Sequence, residues 1–273
     1  MVLERLIDPK GISAFWKMFL IGGVYAFFSI VLSYWVFQSY VSIIMVSLTA
    51  IAAVPFVYRA IEVEEGKEKK LKRFPLLREH SKAIGSFTFL FLGFVFIFLM
   101  TYLLLPKVMV EDIFRVQIDT IITINTMPTG HFISSLSSFV TILSNNLKIM
   151  FFCLLFSVFY GMGAIFILSW NASVMGAAIG ETIRQGLSSS LGSSFTVIST
   201  SLMGYFVHGI PEIVAYFVAG LAGGIISIAA IQEKIFSKNF FRISKGSINL
   251  IGIALLLLII SALIEVTISP LFF

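Results

Sequence analysis

The apolar residues of this chain gather into separate runs, most of them long enough to cross the hydrocarbon of a bilayer, and that feature fixes the class of fold before any other. A helical crossing takes about 20 residues at 1.5 Å each. Residues 15–37, 41–58, 84–105, 147–170, 191–207, 213–230 and 248–264 reach or approach that length. Composition closes the alternative. With 58% hydrophobic residues, 29 phenylalanines and only 12% charged residues, against roughly 25% charged in soluble domains, one core could not bury the apolar side chains. The expected fold is all-α: a polytopic transmembrane bundle of about seven spans.

The polar connections orient the bundle. The net charge of +5 comes from short basic stretches between spans rather than from a basic domain, so it points to the positive-inside rule and to no nucleic-acid partner. The cluster Lys67, Lys69, Lys70, Lys72 and Arg73 lies in a polar loop at 62–82, and Lys234, Lys238, Arg242 and Lys245 mark a second. With both inside, seven crossings place the protein in the cell membrane with its N-terminus cytoplasmic and its C-terminus outside. The first run lacks a small-residue cleavage pattern and is expected to be retained. Cys153, the single cysteine, lies within an apolar run and reads as a small buried hydrophobe.

Three regions follow: 1–106 with three spans and the basic loop, 107–146 as an interfacial amphipathic segment divided by a turn at 126–130, and 147–273 as a C-terminal membrane domain. The stretch 171–209 is only modestly apolar and carries Glu181, Thr182, Arg184 and Gln185. It reads as a short re-entrant or broken helix at 172–180 followed by a weak fifth span at 191–207. Glu181 and Arg184, three apart, are expected to form an ion pair.

Polar groups at membrane depth are costly, and each calls for a reason. The densest group is His208-Gly209-Ile210-Pro211-Glu212. Pro211 fits the first position of a helix, which would place Glu212 in its first turn and His208 as a cap on the preceding helix. The functional alternative lets the imidazole and the carboxylate, four residues apart, share a proton or a metal. No zinc-peptidase pattern accompanies them, because His80 and His131 stand in polar stretches and are expected to be solvated. Asn145 and Asn146 directly precede the fourth run and read as helix caps, while Asn171 would satisfy backbone groups exposed by a break. Asn145, Asn146, Asn171, His208 and Glu212 are thus the candidate polar intramembrane site. The spacings of Gly176 with Gly180, and of Gly220 with Gly224, suit close helix approach within one chain or between copies.

These elements together resemble the stage II sporulation protein M (SpoIIM) family. The resemblance rests on Asn145-Asn146 with Gly161 and Gly163, on Asn171 with Gly176, and on His208-Gly209-Ile210-Pro211-Glu212 with Gly220, Gly223 and Gly224. It covers about 145–231, with Ala172 standing where the family usually has glycine. The resemblance implies an integral membrane protein whose family namesake anchors peptidoglycan-degrading partners; relatives occur well beyond spore formers. The leading expectation is a non-enzymatic scaffold in membrane organisation or remodelling, in contact with the lipid bilayer and protein partners and self-associating through its glycine seams. A transporter or channel built around His208 and Glu212 is the alternative, and an intramembrane hydrolase the third reading. No cofactor is implied, and the residues leave a metal open.

Overall fold

The computed structural model describes residues 13–68, 80–126, 135–160, 163–188, 194–233, 235 and 237–268. Among these residues the chain forms nine α-helices and no strand. They are α1 (Ser13–Val36), α2 (Val41–Glu68), α3 (Ser81–Leu104), α4 (Lys107–Ile113), α5 (Arg115–Thr126), α6 (Ser135–Tyr160), α7 (Ala164–Ser188), α8 (Ser194–Gln232) and α9 (Lys238–Thr267). All but α4 and α5 are long and apolar enough to cross a bilayer, which gives seven candidate spans. The chain is a multi-pass α-helical membrane protein.

The expected number of spans stands, but the sequence is cut into them differently. The run 147–170 is not one helix: α6 ends at Tyr160 and α7 begins at Ala164. Gly163 allows the tight return, since a side chain there would meet the Phe156 carbonyl at 2.7 Å. The re-entrant piece at 172–180 is instead the middle of the continuous α7, and the separate fifth and sixth spans fuse into the 39-residue α8 with Pro211 inside it.

Continuity at Pro211 has a physical reason. In hydrocarbon an open helix end exposes backbone groups that no water can satisfy, so a proline is tolerated where a neighbour bonds the freed carbonyls. Pro211 leaves the Val207 carbonyl without its helical donor, and Ser261 of α9 donates its hydroxyl to the adjacent His208 carbonyl at 2.7 Å. Ser169 through Gly180 carry enough apolar and small residues, with Ala172, Ala177 and Ile179 fully buried, to pass through the bundle unbroken.

Side-chain pairings give the helix directions. Phe15 stacks on Phe89 and Phe19 meets Phe96, so α1 runs parallel to α3. Gly176 abuts Phe98 and Gly180 abuts Tyr102, so α7 runs parallel to α3 as well. The hairpin of α7 and α8 is antiparallel, with Gly186 against Val197 and Thr182 near Tyr205. Helix α6 runs with α8, and α9 returns against it. The two ends of the described chain therefore emerge on opposite sides.

The segment after α3 does more than lie along an interface. Gln117 of α5 is fully buried and donates to the Ser42 carbonyl at 3.2 Å and the Ser173 hydroxyl at 3.1 Å, tying α5 to α2 and α7. The last part of the expected interfacial segment, from Ser135, is already α6.

Candidate functional site

The five candidate residues all lie inside helices. Asn145 and Asn146 sit well within α6 rather than capping it, because α6 begins at Ser135, and His208 and Glu212 share one face of the unbroken α8, so neither caps a helix end. Burial separates the asparagines. Asn146 is 7% exposed, whereas its neighbour Asn145, about 100° round the helix, is exposed.

Glu212 is the centre of the cluster. Tyr216, one turn further along α8 and itself fully buried, donates its phenolic hydroxyl to Glu212 Oε1 at 2.8 Å. From α6, the Asn146 side chain faces the same carboxylate, but its Nδ2 completes no hydrogen bond. Glu265 of α9 lies within electrostatic reach of Glu212. His208 is turned to its own helix, bonding the Gly204 carbonyl, while its main-chain carbonyl takes the bond from Ser261. Asn171 does not join them, since its amide donates to the Ile167 carbonyl of its own helix at 2.8 Å. The structure thus brings Asn146, Glu212 and Tyr216 together, sets His208 beside them, and leaves Asn145 and Asn171 apart.

The cluster sits near mid-depth. Phe217 contacts Phe87 and Phe91, and Ile213 shares a small apolar cavity with Thr88, Phe91 and Leu92. These residues lie in the first half of the 24-residue α3, the last of them next to its midpoint. A helix of that length spans about 36 Å, so the contacts made by Ile213 and Phe217 lie about 9–17 Å from the start of α3. A second cavity, between α2, α3, α6, α7 and α8, is lined by residues such as Phe87, Phe94, Leu168 and Phe217, with Ser157 its polar contribution. Glu212 lines neither cavity.

Other polar groups are bonded within the chain. His80 is not solvated: it is fully buried, and its Nδ1 lies 2.7 Å from Glu64 Oε2. The pair joins the end of α2 to the start of α3. His131 and Gly161 lie outside the described residues. Glu181 and Arg184 do not pair directly. Glu181 accepts from Tyr102 at 2.7 Å and from Gln185 at 2.7 Å. Arg184 instead donates to the Leu103 and Leu105 carbonyls and lies over the Tyr102 ring. Orphan carbonyls at the end of α3 need donors, and the guanidinium supplies them.

The glycine seams face neighbours in the same chain. Side chains added at Gly176 and Gly180 would run into Phe98 and Tyr102 of α3, and one at Gly220 would reach Ala164 of α7 and Ser157 of α6. Gly224 is buried in the same helix. Three close approaches escaped the sequence reading. Gly22 and Gly93 bring the backbones of α1 and α3 together, and Gly223 lets α8 approach the Leu154 carbonyl at 2.7 Å. Gly22 and Gly93 lie in different runs, so their spacing showed no small-xxx-small pattern.

Neither a curated protein nor a solved structure matches the chain. The stage II sporulation protein M (SpoIIM) family model matches residues 83–270, extending the resemblance at 145–231 back to the start of α3 and on past the end of α9. A match over more than half of the chain means that this protein belongs to the SpoIIM family.

Proposed function

We propose that the protein is a non-enzymatic membrane scaffold or anchor that organises partners or the bilayer itself. One observation carries the reading: the carboxylates Glu212, Glu64 and Glu181 bond to neighbours within the fold, and Glu212 lines no cavity. Glu212 is held by Tyr216, Glu64 by His80, and Glu181 by Tyr102 and Gln185. Such bonds fix helix positions and leave few groups to bind or relay a solute. The basic connections at 62–82 and 234–245 are assigned to the cytoplasmic side, which puts the N-terminus inside and the C-terminus outside.

Purified protein in phosphatidylcholine vesicles carrying a proton, sodium or potassium gradient tests this. The scaffold reading expects no gradient-driven flux above that of empty vesicles, and it expects Glu212→Gln to change the unfolding temperature alone. Flux that Glu212→Gln removes without loss of fold would refute it. That outcome would favour transport, the second reading, for which the unpartnered Asn146 amide facing a mid-depth carboxylate speaks.

A further inference from the structure

Helix α6 carries polar residues on two opposite faces, one turned into the bundle and one exposed. Asn146 points into the bundle toward Glu212. Ser137, Thr141, Ser144 and Lys148 recur at spacings of four, three and four, which sets them in one stripe about 180° from Asn146. All four are exposed, as is Asn145 at the stripe's edge.

Lys148 makes this stripe unusual. It lies two residues beyond Asn146, about 3 Å further along the axis, and so shares the mid-depth level of Glu212. It is exposed and is bonded to no described residue. A cation at the centre of a bilayer costs several kcal/mol unless it is paired. The residues above it are small and hydroxylated, the types that let helices approach closely and bond across an interface.

We propose that this face of α6 docks a single transmembrane helix of another protein, one that carries an aspartate or glutamate at mid-depth to meet Lys148. Charge complementarity selects the occupant. A second copy related by an axis along the membrane normal would set Lys148 against Lys148, a repulsive pairing. Glu212, across α6 from Lys148, offers it no partner, because it is turned inward and held by Tyr216. The Ser137, Thr141 and Ser144 side admits a close neighbour, and Lys148 sets its register. This interface rests on the scaffold reading and names the chemistry of its partner.

The full-length protein in phosphatidylcholine vesicles would be mixed with labelled 22-residue Leu/Ala peptides that carry glutamate or glutamine at the centre. Association would be read by energy transfer from a label on the protein. The glutamate peptide is expected to bind at least about tenfold more tightly than the glutamine peptide. Lys148→Leu should abolish that preference, and Lys148→Glu should transfer it to a peptide with central lysine. Thermal unfolding of the Lys148→Leu protein, expected to be unchanged because the side chain is exposed, checks that the fold survives. The proposal is overturned if the two peptides bind alike, if neither binds, if the preference survives Lys148→Leu, or if the protein forms dimers that Lys148→Leu dissolves. Failure here leaves the flux measurement untouched. Flux through Glu212 would remove the scaffold reading while leaving peptide binding to be read independently.

Discussion

Helices α6 and α8 are both apolar enough to span a bilayer and run side by side in the same direction, yet they hold opposite positions in the molecule. In its most apolar window α8 is 83% buried and α6 only 17%. Apolarity measures what a helix can tolerate, lipid or protein; side-chain size decides which it meets. The lower part of α8 alternates glycine and alanine with larger residues over Ala215–Ala230 and accepts neighbours on every side, whereas α6 presents Phe151, Phe152, Phe156 and Phe159 outward. Phenylalanine stripes suit lipid, and small residues suit other helices.

The strongest way to break the contrast is to fill the α6–α8 seam. Gly223→Val would drive a branched side chain into the Leu154 carbonyl and the Ser157 side chain. A loss of about 2–3 kcal/mol is expected from overpacking, read by unfolding in detergent micelles, and retained stability would mean that α6 can retreat freely. The polar link between the same helices comes next. Tyr216→Phe deletes the hydroxyl that bonds Glu212 and should cost about 1–3 kcal/mol, the usual penalty for stranding a buried acceptor. Wild-type stability in that variant would show the carboxylate finding another donor.

A smaller effect is expected where α8 meets α9. Ser261→Ala removes the donor to the His208 carbonyl and should lower stability by about 0.5–1.5 kcal/mol. Pro211→Ala restores an amide for the Val207 carbonyl, a different acceptor from the one Ser261 serves, so the serine's loss should be about equal in both backgrounds; a smaller loss beside alanine would tie the serine to the proline. The smallest change belongs to the lipid side. Phe159, 72% exposed on α6, should tolerate Phe159→Leu within about 0.5 kcal/mol, and a large loss would place a protein neighbour there.

The class of fold and the number of spans were legible because hydrocarbon demands long apolar runs, and nothing else in the chain mimics them. The boundaries were not, for particular reasons. Pro211 and Gly209 read as a break because, in water, they would make one; within the bundle Ser261 supplies a bond from a residue 53 positions away. Asn145-Asn146 read as caps because local sequence cannot distinguish an asparagine at a helix start from one turned toward a buried carboxylate. Glu212 was found from its cost at membrane depth, but its partner Tyr216 looked like one more apolar residue of the run. His80 drew its apparent solvation from charged neighbours in sequence, whereas burial against Glu64 depends on how α2 and α3 meet.

Helix α8 also has a mechanical meaning. Its 39 residues make a rod about 58 Å long, while the hydrocarbon it crosses is about 30 Å thick. Even a tilted rod of that length projects beyond the lipid, and it does so as an unbroken helix stiffened at its centre by α6, α7 and α9. One element of the chain thus carries a continuous helical backbone from one side of the hydrocarbon to the other with length to spare.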